Sequence, residues 1–298
     1  MGPGKMSNVV AGCPLCGEDS FMSSWYGPTR YHGKEFSYAR CHGCASHYCR
    51  PMPDAQALES MYGTGYQLGS GLHTVSDPAK AAWVLARLDQ LPPATFMDYG
   101  CGSGELLVAA KQRGWDVVGV ELRRDVADET SARTGLPVIT VDEALEKRRF
   151  AKVLHVGDVL EHLTNLDREM PRIIALIEGG GLLLAQGPLE ANGNLFNWAL
   201  RVSRSLRGRR PAQMAPYHVI LATVAGQWAL FRRCGLDAIE KSVTEVFWPA
   251  PAHVSSKDLL EPRKVCLHVL RLCSRALSRL RPDRWGNRYR YAGRVEGS

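Results

Sequence analysis

Three groups of residues in this chain have types and spacings that could do chemistry. The first lies in "FMDYGCGSGELL", residues 96–107, where Gly100, Gly102 and Gly104 alternate with small residues after an apolar run that contains Asp98. Such a turn lets the backbone approach a ligand closely, because no Cβ stands in the way. The second is two Cys-x-x-Cys pairs, Cys13 with Cys16 and Cys41 with Cys44, separated by 24 residues. Each pair presents two thiolates at tetrahedral spacing, and two pairs complete a closed four-sulfur zinc site. With no open coordination position, its expected role is structural. Cys49, His42 and His47 lie nearby and read as bystanders. The third is "DVLEH", where Asp158, Glu161 and His162 place two carboxylates and an imidazole within one helical turn or so. Imidazole can take a proton from an acceptor, and oxygen and nitrogen ligands together could hold a magnesium-like ion. The plainer reading is that the acids begin a helix and face its positive end.

These residues need a frame. "TFMDYG", "WDVVGVEL", "LPVITV", "KVLHVGDVL" and "GLLLAQGP" read as strands. "GELLVAAKQRG", "RDVADETSARTG" and "LDREMPRIIALIEGG" read as the helices among them. Strands alternating with helices imply a parallel sheet covered on both faces, with ligands beyond the carboxyl ends of its strands. The glycine turn closes the first of those strands. Ahead of it, "FSYARC" suggests short strands leading into the second cysteine pair, and Pro51 and Pro53 end that ribbon. A short helix, a glycine-rich loop over residues 63–71 and a helix over 78–90 follow, the last broken by Pro92 and Pro93.

The glycine spacing is informative. A phosphate loop would need Gly-Lys-Ser/Thr, and a dinucleotide fingerprint Gly-x-Gly-x-x-Gly. Asp98-x-Gly100-x-Gly102-x-Gly104 instead resembles the first motif of class I S-adenosylmethionine-dependent methyltransferases, and "DVLEHL" resembles the end of their fourth strand. The resemblance runs from about residue 93 to 188. It continues more weakly through "WALFRRCGLDAIEKS", similar to the late helix and sixth strand, and "GNRYRYAGRV", similar to the seventh. It implies an α/β fold: a doubly wound, mostly parallel seven-stranded sheet of the Rossmann-like methyltransferase type, with a small N-terminal zinc ribbon. It also implies roles. Asp98 would anchor the methionine ammonium. Glu121, 17 residues beyond Gly104 and followed by Leu122, would accept the ribose hydroxyls. Asp142 would reach the adenine amino group, and Asp158 and Tyr66 would complete the cofactor set. The cysteine pairs together with "YGTGY" are similar to a subgroup that includes sugar methyltransferases; the long sugar C-methyltransferases carry a further C-terminal domain that is not expected here, which counts against C-methylation. The expected organisation is a ribbon over residues 1–56, a covering segment over 57–92, and a methyltransferase domain over 93–298 with a basic helical insertion near 250–285.

Methyl transfer then asks for a placed acceptor and a base. His162 is the first candidate, with Glu161 beside it. His218, in "APYHVI", is the second. Tyr62, Tyr66, Tyr217 and His218 are the expected polar groups of a lid over the methyl group. Arg201, Arg204 and Arg207 share one helical face. Between Lys264 and Leu280, a stripe of Val265, Val269, Leu272, Cys273, Ala276 and Leu280 is flanked by Lys264, Arg271, Arg275 and Arg279. That helix reads either as packed on the domain with a solvated basic edge, or as a surface for a substrate phosphate or an anionic membrane face. No window is apolar enough to span a membrane, and the start lacks the order of a secretory signal, so the expected compartment is the cytoplasm. A net charge of +7 favours acidic or phosphate-bearing partners. Three function classes follow. The leading one is a methyltransferase acting on a small-molecule acceptor such as a sugar or nucleotide-linked sugar, with O-methylation favoured. The second is an RNA methyltransferase. It is disfavoured because the fourth strand lacks an Asn/Asp-Pro-Pro-aromatic ending and the basic residues lack interleaved aromatics. The third is a non-catalytic module that binds the cofactor.

Overall fold

The structure, a computed structural model, describes residues 12–62, 78–148, 150–195, 197–199, 202, 212–213, 215–246 and 261–296. Five short strands come first: β1 (Phe21–Ser23), β2 (Thr29–Tyr31), β3 (Lys34–Phe36), β4 (Tyr38–Cys41) and β5 (His47–Cys49). Helices α1 (Ala55–Met61) and α2 (Pro78–Leu88) lead to an alternating run. It comprises β6 (Thr95–Tyr99), α3 (Glu105–Lys111), β7 (Asp116–Glu121), α4 (Arg124–Thr134), β8 (Val138–Thr140) and α5 (Val141–Glu146). Next come β9 (Ala151–Gly157), a 3-10 turn (Leu160–His162), α6 (Leu166–Ile174) and β10 (Ile177–Pro188). The remainder is β11 (Ala212–Gln213), β12 (Ile220–Leu221), α7 (Val224–Arg233), β13 (Leu236–Thr244), α8 (Pro262–Leu280), α9 (Pro282–Trp285) and β14 (Arg288–Val295).

The chain forms two compact units, each assembled from separated segments. One comprises Met1–Pro53, Gly187–Leu230 and Lys241–Arg290; the other comprises Asp54–Gln186, Phe231–Glu240 and Tyr291–Ser298. These units divide the chain at other places than the expected boundaries at residues 56 and 92.

The second unit carries most of a seven-stranded sheet with the order β13-β14-β10-β9-β6-β7-β8. The pairs β10–β9, β9–β6, β6–β7 and β7–β8 are all parallel. β6, β7 and β9 are buried on both faces along most of their length, as a sheet covered by helices on either side requires. Phe96, Trp115, Leu107, Val117, Val153 and Leu184 are central to that core. The two rings of Phe96 and Trp115 meet edge to face at 6.4 Å, the arrangement aromatic quadrupoles prefer.

Two local expectations are corrected. The helix read through "LDREMPRIIALIEGG" stops at Ile174, and Ile177 already begins β10. The strand tolerates its glycines because the register with β9 shifts between Ile177 and Leu182, where Gly180 takes φ +75°. "DVLEH" does not begin an α-helix either; it closes in a three-residue 3-10 turn.

In the first unit the N-terminal ribbon is completed by later chain. β12 pairs antiparallel with β5 and closes a four-stranded sheet of order β1-β4-β5-β12. β11 pairs parallel with β2, whose other neighbour is β3. The ribbon's strands are three or four residues long, too short to stand alone. Non-local strands and shared hydrogen bonds supply what they lack. Ser46 Oγ lies 3.0 Å from Thr223 Oγ1, and the Thr223 hydroxyl donates to the Cys44 carbonyl at 2.6 Å.

Candidate functional site

In the second unit the three motif glycines all adopt left-handed φ, at +76°, +52° and +74°. Each is glycine for a different reason. A Cβ on Gly100 would lie 2.5 Å from Val159 Cγ2, so the Asp158–His162 segment rests directly on this turn. A Cβ on Gly104 would lie 2.8 Å from Thr134 Cγ2, where α4 packs closely. At Gly102 a Cβ would meet nothing within 4 Å. Its conformation excludes most side chains, yet the space in front of it is open, which is the form of a backbone cradle for a ligand.

Two carboxylates lie beside that cradle. Glu121, at the end of β7, accepts the Gly102 N–H at 2.6 Å. Burial pushes its carboxyl above the usual range, opposed by the Gly102 N–H and reinforced by the charge of Asp98. Asp98 is 4% exposed, and its Oδ1 lies 2.7 Å from His155 Nδ1 on the neighbouring strand. His155 Nε2 in turn lies 3.1 Å from Gln186 Nε2, and the Gln186 amide also donates to the Lys80 carbonyl. With Nδ1–H donated to the carboxylate, Nε2 is the acceptor for the Gln186 amide, so the neighbours fix the tautomer. A Cβ on Gly157 would lie 2.5 Å from His155 Cε1; the imidazole occupies space that only glycine leaves. His155, Gln186 and Gly157 carry no motif and were not singled out from the sequence. The available signal was a lone histidine inside the apolar run "KVLHVG".

The "DVLEH" segment divides its tasks. Asp158 has φ +54°, unusual for a residue with a side chain. Its carboxylate pairs with Lys80 Nζ at 2.5 Å and its N–H donates to the Gln186 carbonyl. Asp158 is therefore engaged by a cation, and among the described residues it does not join Glu161 and His162 as a metal-ligand set. Glu161 is 6% exposed. His162 Nδ1 lies 2.8 Å from the Tyr62 hydroxyl, and the Tyr62 carbonyl accepts from Arg123, two residues past Glu121. The end of α1 is thus tied both to the histidine and to the loop after β7.

Two further residues expected at the cofactor have exposed side chains. Asp142 sits in the first turn of α5 with its side chain 81% exposed, paired with Arg172. Leu122 is 74% exposed directly after Glu121. Tyr66, Arg201, Arg204, Arg207 and the loop over 63–71 lie outside the described residues.

In the first unit the four sulfurs of Cys13, Cys16, Cys41 and Cys44 lie within 4.8 Å of one another. Cys13 and Cys44 are 3.6 Å apart, and Cys16 and Cys41 are 3.5 Å apart. Tetrahedral zinc with bonds near 2.3 Å sets ligand sulfurs about 3.8 Å apart, so the four thiols fit that ion. The cluster also favours a thiolate. Cys44 is lowered to about 5 by its contact with Cys13 and by Ser46, while Cys16 is raised to about 11 chiefly by burial. Cys49, His42 and His47 stand outside the four-sulfur group; His47 instead bonds Ser24. His218 belongs to this unit. Its Nδ1 lies 2.8 Å from Glu190 Oε2, the Tyr38 hydroxyl donates to its carbonyl, and the Tyr26 hydroxyl donates to the Glu190 carbonyl. Two ribbon tyrosines thereby hold a histidine–carboxylate pair that sequence reasoning did not connect with the ribbon.

Comparison with known proteins agrees with this geometry. Residues 74–221 match the family described as a methyltransferase domain. Ribosomal protein L11 methyltransferase of Vibrio cholerae is 30% identical over 148 residues, 47% of this chain and 48% of that protein. The protein of that name from Hydrogenovibrio crunogenus is 42% identical over 64 residues, 21% of this chain and 20% of its own. The chain thus spans about half or less of the length of these curated relatives. Among solved structures, magnesium protoporphyrin IX methyltransferase of Synechocystis PCC 6803 with bound SAH shares the fold, with a TM-score of 0.50 at 13% identity. That match covers 82% of this chain and all of the other. Residues 74–221 thus carry a methyltransferase domain.

Proposed function

We propose that this protein transfers a methyl group from S-adenosylmethionine to a hydroxyl of a small-molecule acceptor, a sugar or nucleotide-linked sugar. The observation that carries the cofactor side is Gly102: left-handed, open in front, and flanked by the buried carboxylate of Asp98 and the half-buried carboxylate of Glu121. The cofactor supplies a methyl group already activated on sulfur. What the chain's own residues add is position and a proton acceptor. Asp98, pinned by His155, would hold the ammonium, and Glu121 would hold the ribose. His162 would take the acceptor's proton, with Tyr62 fixing its ring through Nδ1. Val159 against Gly100 supports this assignment, because it keeps the histidine's turn on the cofactor turn. His218, with a carboxylate on Nδ1 that would stabilise its imidazolium, is the alternative base. The sugar assignment rests on the cysteine pairs and the "YGTGY" stretch. The V. cholerae relative favours a second reading, a ribosomal-protein acceptor.

The experiment is methyl transfer from tritiated cofactor to a panel of nucleotide sugars and to ribosomal protein L11. Product on a sugar, with cofactor binding abolished by Gly102→Val and turnover lost in His162→Ala, is the expected result. Label on L11 alone would replace the acceptor. Unchanged cofactor binding in Gly102→Val would overturn the site itself.

A further inference from the structure

Helix α8 turns two serines toward the protein. Ser274 and Ser278, one turn apart, are 0% and 4% exposed. The Ser274 hydroxyl donates to Glu245 and accepts from Asn194, and Asn194 also donates to the Trp285 carbonyl. The periodic apolar stripe is on the outside. Val269, Leu272 and Leu280 are 51%, 53% and 77% exposed, with Cys273 and Ala276 exposed among them. This reverses the ordinary arrangement, in which the stripe packs on the protein.

The charge on this helix is as one-sided as its apolar face. Over residues 262–280 it carries Arg263, Lys264, Arg271, Arg275 and Arg279 and no aspartate or glutamate. At 100° per residue, Lys264, Arg271, Arg275 and Arg279 form a band along one edge of the stripe, and Arg275 and Arg279 are exposed. Nineteen residues at 1.5 Å each give a face about 28 Å long. No described helix is long and apolar enough to cross a membrane. An exposed apolar stripe edged by cations matches a surface that is apolar beneath and anionic above. A second copy of the same face would instead bring two cationic helices together.

We propose that α8 docks this protein in the plane of an anionic lipid bilayer, with Val269, Leu272 and Leu280 entering the acyl boundary and Arg275 and Arg279 meeting lipid phosphates. The test is flotation of the full chain with phosphatidylcholine vesicles, with and without phosphatidylglycerol. Wild type should float only with the mixed vesicles and release as salt rises. Arg275→Gln with Arg279→Gln should lower partition by about 30-fold, because each cation near such a surface contributes about fivefold. Leu272→Ser with Leu280→Ser should abolish it while leaving cofactor affinity unchanged, since both side chains are exposed. Wild type that fails to float with mixed vesicles overturns the proposal, as does flotation indifferent to both pairs of substitutions. A dimer detected by light scattering without lipid, and dissolved by the leucine substitutions, would assign the stripe to a second copy and overturn it too.

Discussion

Gly157→Ala tests whether the buried network behind the glycine turn is physical. The added Cβ would lie 2.5 Å from His155 Cε1 and 2.8 Å from Nε2. Ordinary carbon contacts are about 3.5–4.0 Å, so the ring must retreat by roughly 1 Å. It cannot do so at constant bonding, because Nδ1 is 2.7 Å from Asp98 and Nε2 is 3.1 Å from Gln186. A shift of that size takes one or both contacts beyond hydrogen-bond range. Losing a buried bond to a carboxylate costs about 1.5–3 kcal/mol, and overpacking adds about 1–3 kcal/mol. We expect about 3 kcal/mol in urea unfolding, with weaker cofactor binding by calorimetry because Asp98 is no longer held. In a His155→Ala background the ring is gone, so the same substitution should cost less than about 1 kcal/mol. An equal cost in both backgrounds would refute the clash, and with it the claim that Gly157 exists to admit the imidazole.

Two further outcomes follow from the same structure. Cofactor affinity should fall as pH drops toward Glu121's raised pKa. Ribose hydroxyls favour its ionised form and burial favours the protonated one, so the loss begins above the ordinary 4.5; calorimetry of Glu121→Gln should show weaker binding with that acid limb removed. Cys16→Ser with Cys44→Ser should lose one zinc per chain by elemental analysis. Hydrogen exchange should quicken at residues 220–226 as well as in the ribbon, because Cys44 and Ser46 bond Thr223.

The sheet was legible because its signals are local. Residues 95–99 and 116–121 announce themselves by apolar runs, and the glycine turn by spacing alone. The ribbon's closure was not. β11 and β12 are two residues each, below any periodicity, and β12 finds its partner β5 some 170 positions earlier in the chain. The orientation of α8 was half legible. Periodicity identified the stripe but says nothing of which side the protein takes; Ser274 and Ser278, four apart on the opposite face, were the sign.

His155 was hidden for a related reason. In a parallel strand buried on both faces every position reads as core, so one histidine looks like a satisfied exception. Register makes it more. Asp98 pairs with His155 across β6 and β9, and Gln186 pairs with Gly157 across β9 and β10. The Asp98 carboxylate is thus the first member of a hydrogen-bonded row running across three strands. A carboxylate held at Oδ1 has lost its rotamer freedom before any ligand arrives, so less ordering remains to oppose binding. Glu121 shows the same device with a backbone donor, the Gly102 N–H. Asp98 and Glu121 are therefore preorganised by different means. Only the backbone means is encoded in the glycine motif; the imidazole row lies outside it, and with both ring nitrogens engaged by Asp98 and Gln186, His155 is placed to position Asp98.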